Sequence, residues 1–536
     1  MWKVLLVASK IFIIHPHFIV SEGYAFGHLI ILTKKVDFQK DQKITLEELK
    51  KAAERLKSKL LEAIKKETSQ EVKEILGFHT MILDDPFLWD RLSNKASHGK
   101  ITIEDLNKVR DEVIELFLNI DNPLIRERQH DVKDVFTKLL YEIYGEEKKR
   151  ISPGDIVYLE EIFPSEVVEF KNLGVGAILC KKGSHTSHAS ILAQSLDIPF
   201  MFNVPDLSEY DGSLVFVDAV HGKIIVEPSK EEIKILKELI EKYSREKAET
   251  EKYSLIKFDD VKVMANIGVL QEIDFAKRKG ADGIGLFRTE FLFLNRKAPP
   301  SEEEQYLAYK KALESFYPDE VIIRLLDIGG DKKLPYLNVS NDENPFLGVR
   351  GVRLLLKNRD ILRTQLRALI RASAHGNLGI LIPMVTILED IIEVRKIIRE
   401  IEGELKEEGV KVGNFKVGIM VEVPSVVFNL DEFIPHIDFV SIGTNDLTQY
   451  MFAADRNNQE VSKYYRDEDK AIINAIQLVV NKMSRVGKPV AVCGEIAGKV
   501  HMIEKLLNIG LKEFSVAPAK VPRVKKRIYE LKQLKT

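Results

Sequence analysis

Short apolar runs alternate with helical patterns from Val261 to the end of the chain, and this alternation limits the fold more than any other feature. Eight such runs occur: VKVMANIG, GIGLFRTEF, VIIRLLDIGG, LGILIPMV, FKVGIMVEVP, DFVSIGTNDL, PVAVCGEIAG and FSVAP. They are rich in Val and Ile, and helical segments separate them. Strands joined by helices run parallel, because a parallel return needs a crossover. Eight β/α units in roughly 280 residues match a (β/α)8 TIM barrel. A doubly wound open sheet is the competing arrangement.

The 536 residues are too many for one hydrophobic core, so several domains are expected. Leu46, Leu49, Ala53, Leu56, Leu60 and Ile64 recur at threes and fours, the mark of one helical face. Thr45 with Glu48 forms a capping box ahead of them, and Thr102 with Asp105 forms a second. Asn122-Pro123 reads as a third helix start, with proline at the first helical position. This block reads as a bundle. Around it, FGHLIIL, DIVYLEEIF, GAILCKKG and SLVFVDAVHGKIIVEP read as strands, so the bundle interrupts a small α/β domain.

The N-terminal MWKVLLVASKIFIIHPHF is apolar but is broken by Ser9-Lys10 and His15-Pro16-His17, and no small-x-small site follows. It reads as a strand or an irregular extension rather than a signal peptide. The expected fold class is multidomain α/β. An α/β domain takes residues 1–37 and 149–228, with 1–20 atypical; a helical insert takes 38–148, a linker helix 229–257 and the barrel 258–536. A net charge of −2 gives no basic excess for nucleic acid, and no segment is apolar enough to cross a membrane. Two cysteines far apart, Cys180 and Cys493, suit a reducing cytoplasm.

In a barrel, chemistry sits at the C-terminal strand ends. Those ends give Asn266, then Arg288-Thr289-Glu290, then Arg324 with Asp327, and later Glu422, Asn445-Asp446 and Cys493 with Glu495. Arg350 lies in the loop after the third strand and Arg456 shortly after the sixth. Arginine forks bind phosphate and carboxylate, and each arginine taken singly reads equally as a surface ion pair. Glu422 and Asp446, from different strands, suit a Mg2+ that borrows further oxygens from water and substrate. Together these point to a multiply charged anionic substrate. Cys493 reads as a buried small hydrophobe, or as an acid/base or nucleophilic group.

The stretch GSHTSHAS, Gly183–Ser190, places His185 and His188 at what reads as a helix start. Free N–H groups there hold phosphate, and neutral imidazole is a nucleophile. A zinc pair with Cys180, or a purely structural pair, are the alternatives.

TSHASILAQSLDIP, GIGLFRTEFLF, DIGGDKKLPY, ENPFLGVRGVR, SIGTNDLTQY and CGEIAG, with SEGYAFG near the start, resemble Enzyme I, the phosphoenolpyruvate–protein phosphotransferase family of the bacterial sugar phosphotransferase system. The resemblance runs from about residue 21 to near the C-terminus. It implies a swivelling phosphohistidine domain with His188 as the phosphorylated residue and His185 ancillary. It implies Arg288, Arg324, Arg350, Asn445 and Arg456 as phosphoenolpyruvate ligands, Glu422 and Asp446 as Mg2+ ligands, and Cys493 as the acid that completes pyruvate. It further implies that the helical insert docks the phosphocarrier HPr, with His79 resembling part of that region and reading equally as a packed helix histidine, and that the barrel forms a homodimer.

Ser184, Phe163 and Val423 depart from the family pattern, and the chain stops soon after its last barrel helix. The alternative readings are a phosphoenolpyruvate synthase or pyruvate phosphate dikinase without its ATP domain, or a regulatory relative that has lost catalysis.

Overall fold

The structure is a computed structural model. It describes residues 10–15, 18–32, 43–66, 70–118, 129–144, 149–183, 188–294, 296, 298–329, 334, 336–337, 344–456 and 458–534. The chain divides into two compact units that meet in sequence between Glu246 and Lys247.

In the first unit, β1 (Lys10–Ile13), β2 (Ile19–Ser21), β3 (Tyr24–Leu32), β6 (Ile156–Leu159), β7 (Ala177–Cys180), β8 (Phe200–Met201), β9 (Leu214–Asp218) and β10 (Lys223–Val226) form one sheet. Its order is β1-β10-β9-β3-β6-β7-β8-β2. β3, β6, β7 and β8 are parallel, and the other pairings are antiparallel. The apolar N-terminal stretch, read as a strand or an irregular extension, thus supplies the two outer strands of this sheet, residues 10–13 and 19–21. Gly222 turns the β9–β10 hairpin at φ +69°, and a Cβ there would fall 2.1 Å from the Ile14 carbonyl oxygen. The glycine lets β1 reach the hairpin.

β3 and β6 pair directly, Leu29 opposite Ile156, although helices Leu46–Lys66, Gln70–Asp84, Pro86–Lys95, Ile103–Leu118 and Gln129–Tyr144 lie between them in sequence. The capping box at Thr45 forms, with Glu48 N–H donating to Thr45 Oγ1 at 3.1 Å and Thr45 N–H to Glu48 Oε2 at 2.9 Å, and Thr102 caps its helix by accepting the Asp105 N–H at 3.1 Å. An antiparallel ladder of β4 (Lys43–Thr45) and β5 (Lys100–Thr102), unforeseen because each strand is so short, pairs the segments that lead into these two helices, with Thr45 opposite Lys100 and Lys43 opposite Thr102. The helix start read at Asn122-Pro123 lies outside the described residues.

His79 is completely buried, its Nε2 3.5 Å from Asp131 and 3.9 Å from Asp134. Asp134 Oδ2 in turn accepts the Ser165 N–H at the start of helix Pro164–Leu173. His79 is therefore the packed helix histidine, the second of its two readings, and presents no docking surface itself.

The helix expected over 229–257 runs from Lys230 to Glu251, capped reciprocally by Ser229 and Glu232. Leu236 buries against Phe216 and Ile225 of the sheet.

The second unit is a closed parallel barrel. Its strands are β11 (Lys262–Ile267), β12 (Ile284–Phe287), β13 (Glu320–Arg324), β14 (Asn377–Ile382), β15 (Phe415–Val421), β16 (Val440–Ile442), β17 (Val490–Val492) and β18 (Glu513–Val516). β18 pairs with β11 and closes the ring. All eight runs read from the sequence are barrel strands, which excludes the open sheet.

Candidate active site

At the mouth of the barrel, strand ends converge charge that burial would ordinarily forbid. β13 ends on Arg324, only 8% exposed. Its guanidinium forms an ion pair with Glu290 and reaches Asp327 Oδ2 at 3.1 Å. Arg350 donates to the same Asp327 carboxylate from Nη2 at 2.9 Å and Nε at 3.3 Å, and its Nη1 reaches Asp446 Oδ1 at 3.1 Å. One carboxylate therefore holds both arginines. Burial alone would weaken their charge. The carboxylates of Glu290, Asp327 and Glu422 outweigh it at Arg324, and those of Asp327, Asp446 and Glu422 outweigh it at Arg350, pushing both further up.

Glu422 follows β15 and is fully buried. Its Oε1 accepts the Met384 N–H at 2.7 Å, while Oε2 has no hydrogen-bond partner. Burial first, then the negative charges of Asp446 and Asp327, hold its carboxyl well above the usual carboxylate range. A Cβ at residue 443 would sit 2.9 Å from that free oxygen, so Gly443 keeps the space clear.

A cation between Glu422 and Asp446 would relieve this repulsion and occupy the orphaned oxygen. No cluster of three or more protein ligands capable of holding a metal occurs among the described residues. A pair of carboxylates fits a hard divalent ion that completes its shell with substrate and water. The Mg2+ ligands expected from the sequence thus fit the group.

Cys493 follows β17, and its N–H bonds the Ile442 carbonyl at 3.1 Å. It is buried among Leu286, Ile322, Leu381, Met420 and Phe439. Burial pushes the thiol up; the Ser441 hydroxyl beside it and the charges of Arg324 and Arg288 only partly oppose this. The thiol is therefore an acid that keeps its proton at neutral pH.

Asn445 spends its side-chain oxygen on the Glu495 N–H at 3.0 Å. Arg288 and Arg456 are exposed; Arg288 is close enough to bias Glu272 and Cys493, and Arg456 to bias Tyr465. Asn266 is a strand tie: its amide donates to the Cys493 and Ser515 carbonyls at 3.1 and 3.2 Å. Sequence reading assigned nothing to Gly443, Met384 or Tyr450, which frame the cluster. Only the spacing of Tyr450 one turn after Asp446 hinted at the last.

In the first unit, His188 is the first residue of helix His188–Ser195, at the helix N-terminus as expected. Its side chain, with Ser184, His185, Thr186 and Ser187, lies outside the described residues. Phe163 stands just ahead of helix Pro164–Leu173.

Three models of phosphoenolpyruvate-utilising enzymes match this chain. They are the PEP-binding domain over residues 242–533, the mobile domain over 151–222 and the N-terminal domain over 18–128. The phosphoenolpyruvate-protein phosphotransferase of Priestia megaterium is 37% identical over 90% of this chain and 87% of its own. That of Haemophilus influenzae is 36% identical over 95% and 92%. The chain belongs to the phosphoenolpyruvate-protein phosphotransferase family. An NMR solution structure of Enzyme I aligns with 42% of this chain and 98% of its own at 25% identity, with a TM-score of 0.38. Among the described residues, no helix is long and apolar enough to cross a membrane.

Proposed function

We propose that this protein takes the phosphoryl group of phosphoenolpyruvate onto His188, releases pyruvate, and passes the group to a histidine of the small phosphocarrier HPr, the first step of a sugar phosphotransferase system. The observation that carries this reading is the barrel mouth, where two buried arginines share Asp327 while Glu422 keeps an oxygen without a hydrogen-bond partner.

Arg324 and Arg350 bind the charged ends of phosphoenolpyruvate, joined by Arg288, Asn445 and Arg456. Their charge is fixed by buried carboxylates, so it stabilises the dissociating phosphoryl group without reorganisation. Glu422 and Asp446 hold a divalent metal, Mg2+ in this reading, which neutralises phosphoryl oxygens when bound. His188 attacks phosphorus in line. The P–N bond forms as the bond to the enol oxygen breaks. The Cys493 thiol gives its proton to the methylene carbon of the enolate, completing pyruvate.

His188 has to meet both phosphoenolpyruvate and the acceptor, so the α/β domain of residues 1–37 and 149–228 swings relative to the barrel about the linker helix. The helical insert at 38–148 docks HPr, the barrel forms a homodimer, and the cytoplasm is the site of action.

The test is incubation with phosphoenolpyruvate labelled in its phosphoryl group, with Mg2+ and without ATP. Acid-labile label on the wild type, absent from His188→Ala and passed on to HPr, is the expected result. Labelling that needs ATP, or that persists in His188→Ala, refutes the proposal.

A further inference from the structure

We propose that Tyr450 is the positioning residue that sets the plane of Arg350 for substrate, an inference that rests on Arg350 binding phosphoenolpyruvate. Arg350 is carried by a loop rather than by a strand, so something other than the barrel must aim it. Downstream, the backbone does this: the Gly351 N–H bonds the Ile328 carbonyl at 3.2 Å, and the Val352 N–H bonds the Pro383 carbonyl at 3.3 Å. Upstream, the limb Pro345–Leu347 is a single 3-10 turn, and among the described residues its backbone hydrogen bonds stay within the turn, Leu347 N–H to the Asn344 carbonyl and Gly348 N–H to the Pro345 carbonyl.

Among the described residues, two side chains hold that upstream limb. Arg353 donates to the Leu347 and Gly348 carbonyls at 3.2 and 3.1 Å. Tyr450 donates its hydroxyl to the Phe346 carbonyl at 2.5 Å. A phenol has one proton, so the Tyr450 oxygen faces Arg350 with lone pairs only, and Arg350 Nη1 approaches it at 3.4 Å. The Phe346 ring lies 5.8 Å from the same guanidinium. Tyr450 thus fixes the loop and touches the cation it carries.

Asp446 and Tyr450 are one turn apart on helix Thr444–Phe452 and share a face. Both meet Nη1 of Arg350, while Asp327 holds the opposite edge through Nε and Nη2. When a cation takes Asp446, the Tyr450 hydroxyl is the contact that still orients Nη1 from that helix. Removing the hydroxyl leaves the Phe346 carbonyl without this donor and, once a cation occupies Asp446, leaves Arg350 without its contact to that helix.

The experiment measures phosphoenolpyruvate binding calorimetrically in the full-length protein with Mg2+ present and His188→Ala to prevent turnover. Tyr450→Phe is expected to weaken binding about fivefold, the range of one lost hydrogen bond, with an unchanged melting temperature. Arg350→Lys weakens binding by itself, and adding Tyr450→Phe to it changes affinity by less than about twofold, because coupled residues are not additive. Unchanged affinity in Tyr450→Phe beside a weakened Arg350→Lys overturns the positioning role. So does a full fivefold loss on top of Arg350→Lys, since the hydroxyl would then act without the arginine. If Arg350→Lys binds as tightly as its parent, Arg350 is no substrate ligand and the underlying reading falls.

Discussion

At the base of the barrel, Lys525 is buried to 1% exposure, yet its ammonium is saturated. It donates to the Gly280 carbonyl at 2.6 Å, the Ile256 carbonyl at 2.7 Å and Asp282 Oδ1 at 2.8 Å. Asp282 in turn accepts the Val263 N–H at 2.9 Å. At the mouth, the charge is as deeply buried but its bonding is incomplete: Arg324 Nε, Glu290 Oε2 and Glu422 Oε2 have no hydrogen-bond partner. A saturated buried charge holds elements together, here helix Val521–Gln533 against the segment entering the barrel. An unsaturated one stores donors and acceptors for something that arrives later. Burial alone does not separate structure from function, but unspent hydrogen-bonding capacity at the strand C-termini does.

Lys525→Met gives the largest effect at the base. It strands Asp282 and the Ser254, Ile256 and Gly280 carbonyls, and it should cost about 3–5 kcal/mol of stability, read by denaturant unfolding. Phosphoenolpyruvate turnover per folded molecule should stay within about twofold. A large loss of turnover in well-folded protein would erase the distinction between the two ends.

Cys493 gives a smaller, sharper test at the mouth. The folded thiol holds its proton to a higher pH than an unfolded one, which titrates near about 8.5. The native state therefore binds more protons above that pH. The associated stability is intact below about pH 8.5 and is lost as pH rises through the folded value. Alkylation of Cys493 by iodoacetamide at pH 8.5, followed by peptide mass spectrometry, should run at least about tenfold slower than for free cysteine. Reaction at the free-thiol rate would show that the thiol is neither shielded nor raised.

The barrel was legible because each of its strands is a short Val/Ile run, and because strand ends converge in three dimensions whatever the loops do. Arg324, Glu422, Asp446 and Cys493 could be read together for that reason. The destination of loop residues was less legible. Arg350 reaches Asp327 because the backbone turns at Gly329 (φ +127°) and Gly351 (φ +56°), and a Cβ on Gly329 would lie 2.4 Å from the Arg350 Cβ. Sequence shows those glycines but not what crosses them. Asn266 illustrates a related limit: residue type and strand-end position do not reveal that the Cys493 and Ser515 carbonyls already take its amide. The strands at 10–13 and 19–21 were ambiguous because an apolar N-terminal run has no partner until β10 and β8 are placed beside it.

The central claim is that the open valence at Glu422 belongs to a divalent cation that brings phosphoenolpyruvate with it. Calorimetric binding of phosphoenolpyruvate to the His188→Ala protein, with and without Mg2+, and with Glu422→Gln added, tests this directly. Binding should depend on the cation and be lost in Glu422→Gln, whose melting temperature should match or exceed its parent's, because a carboxyl that burial and its acidic neighbours already disfavour as an anion is replaced by a neutral amide of the same shape. Cation-dependent binding of unchanged affinity in Glu422→Gln would contradict the account.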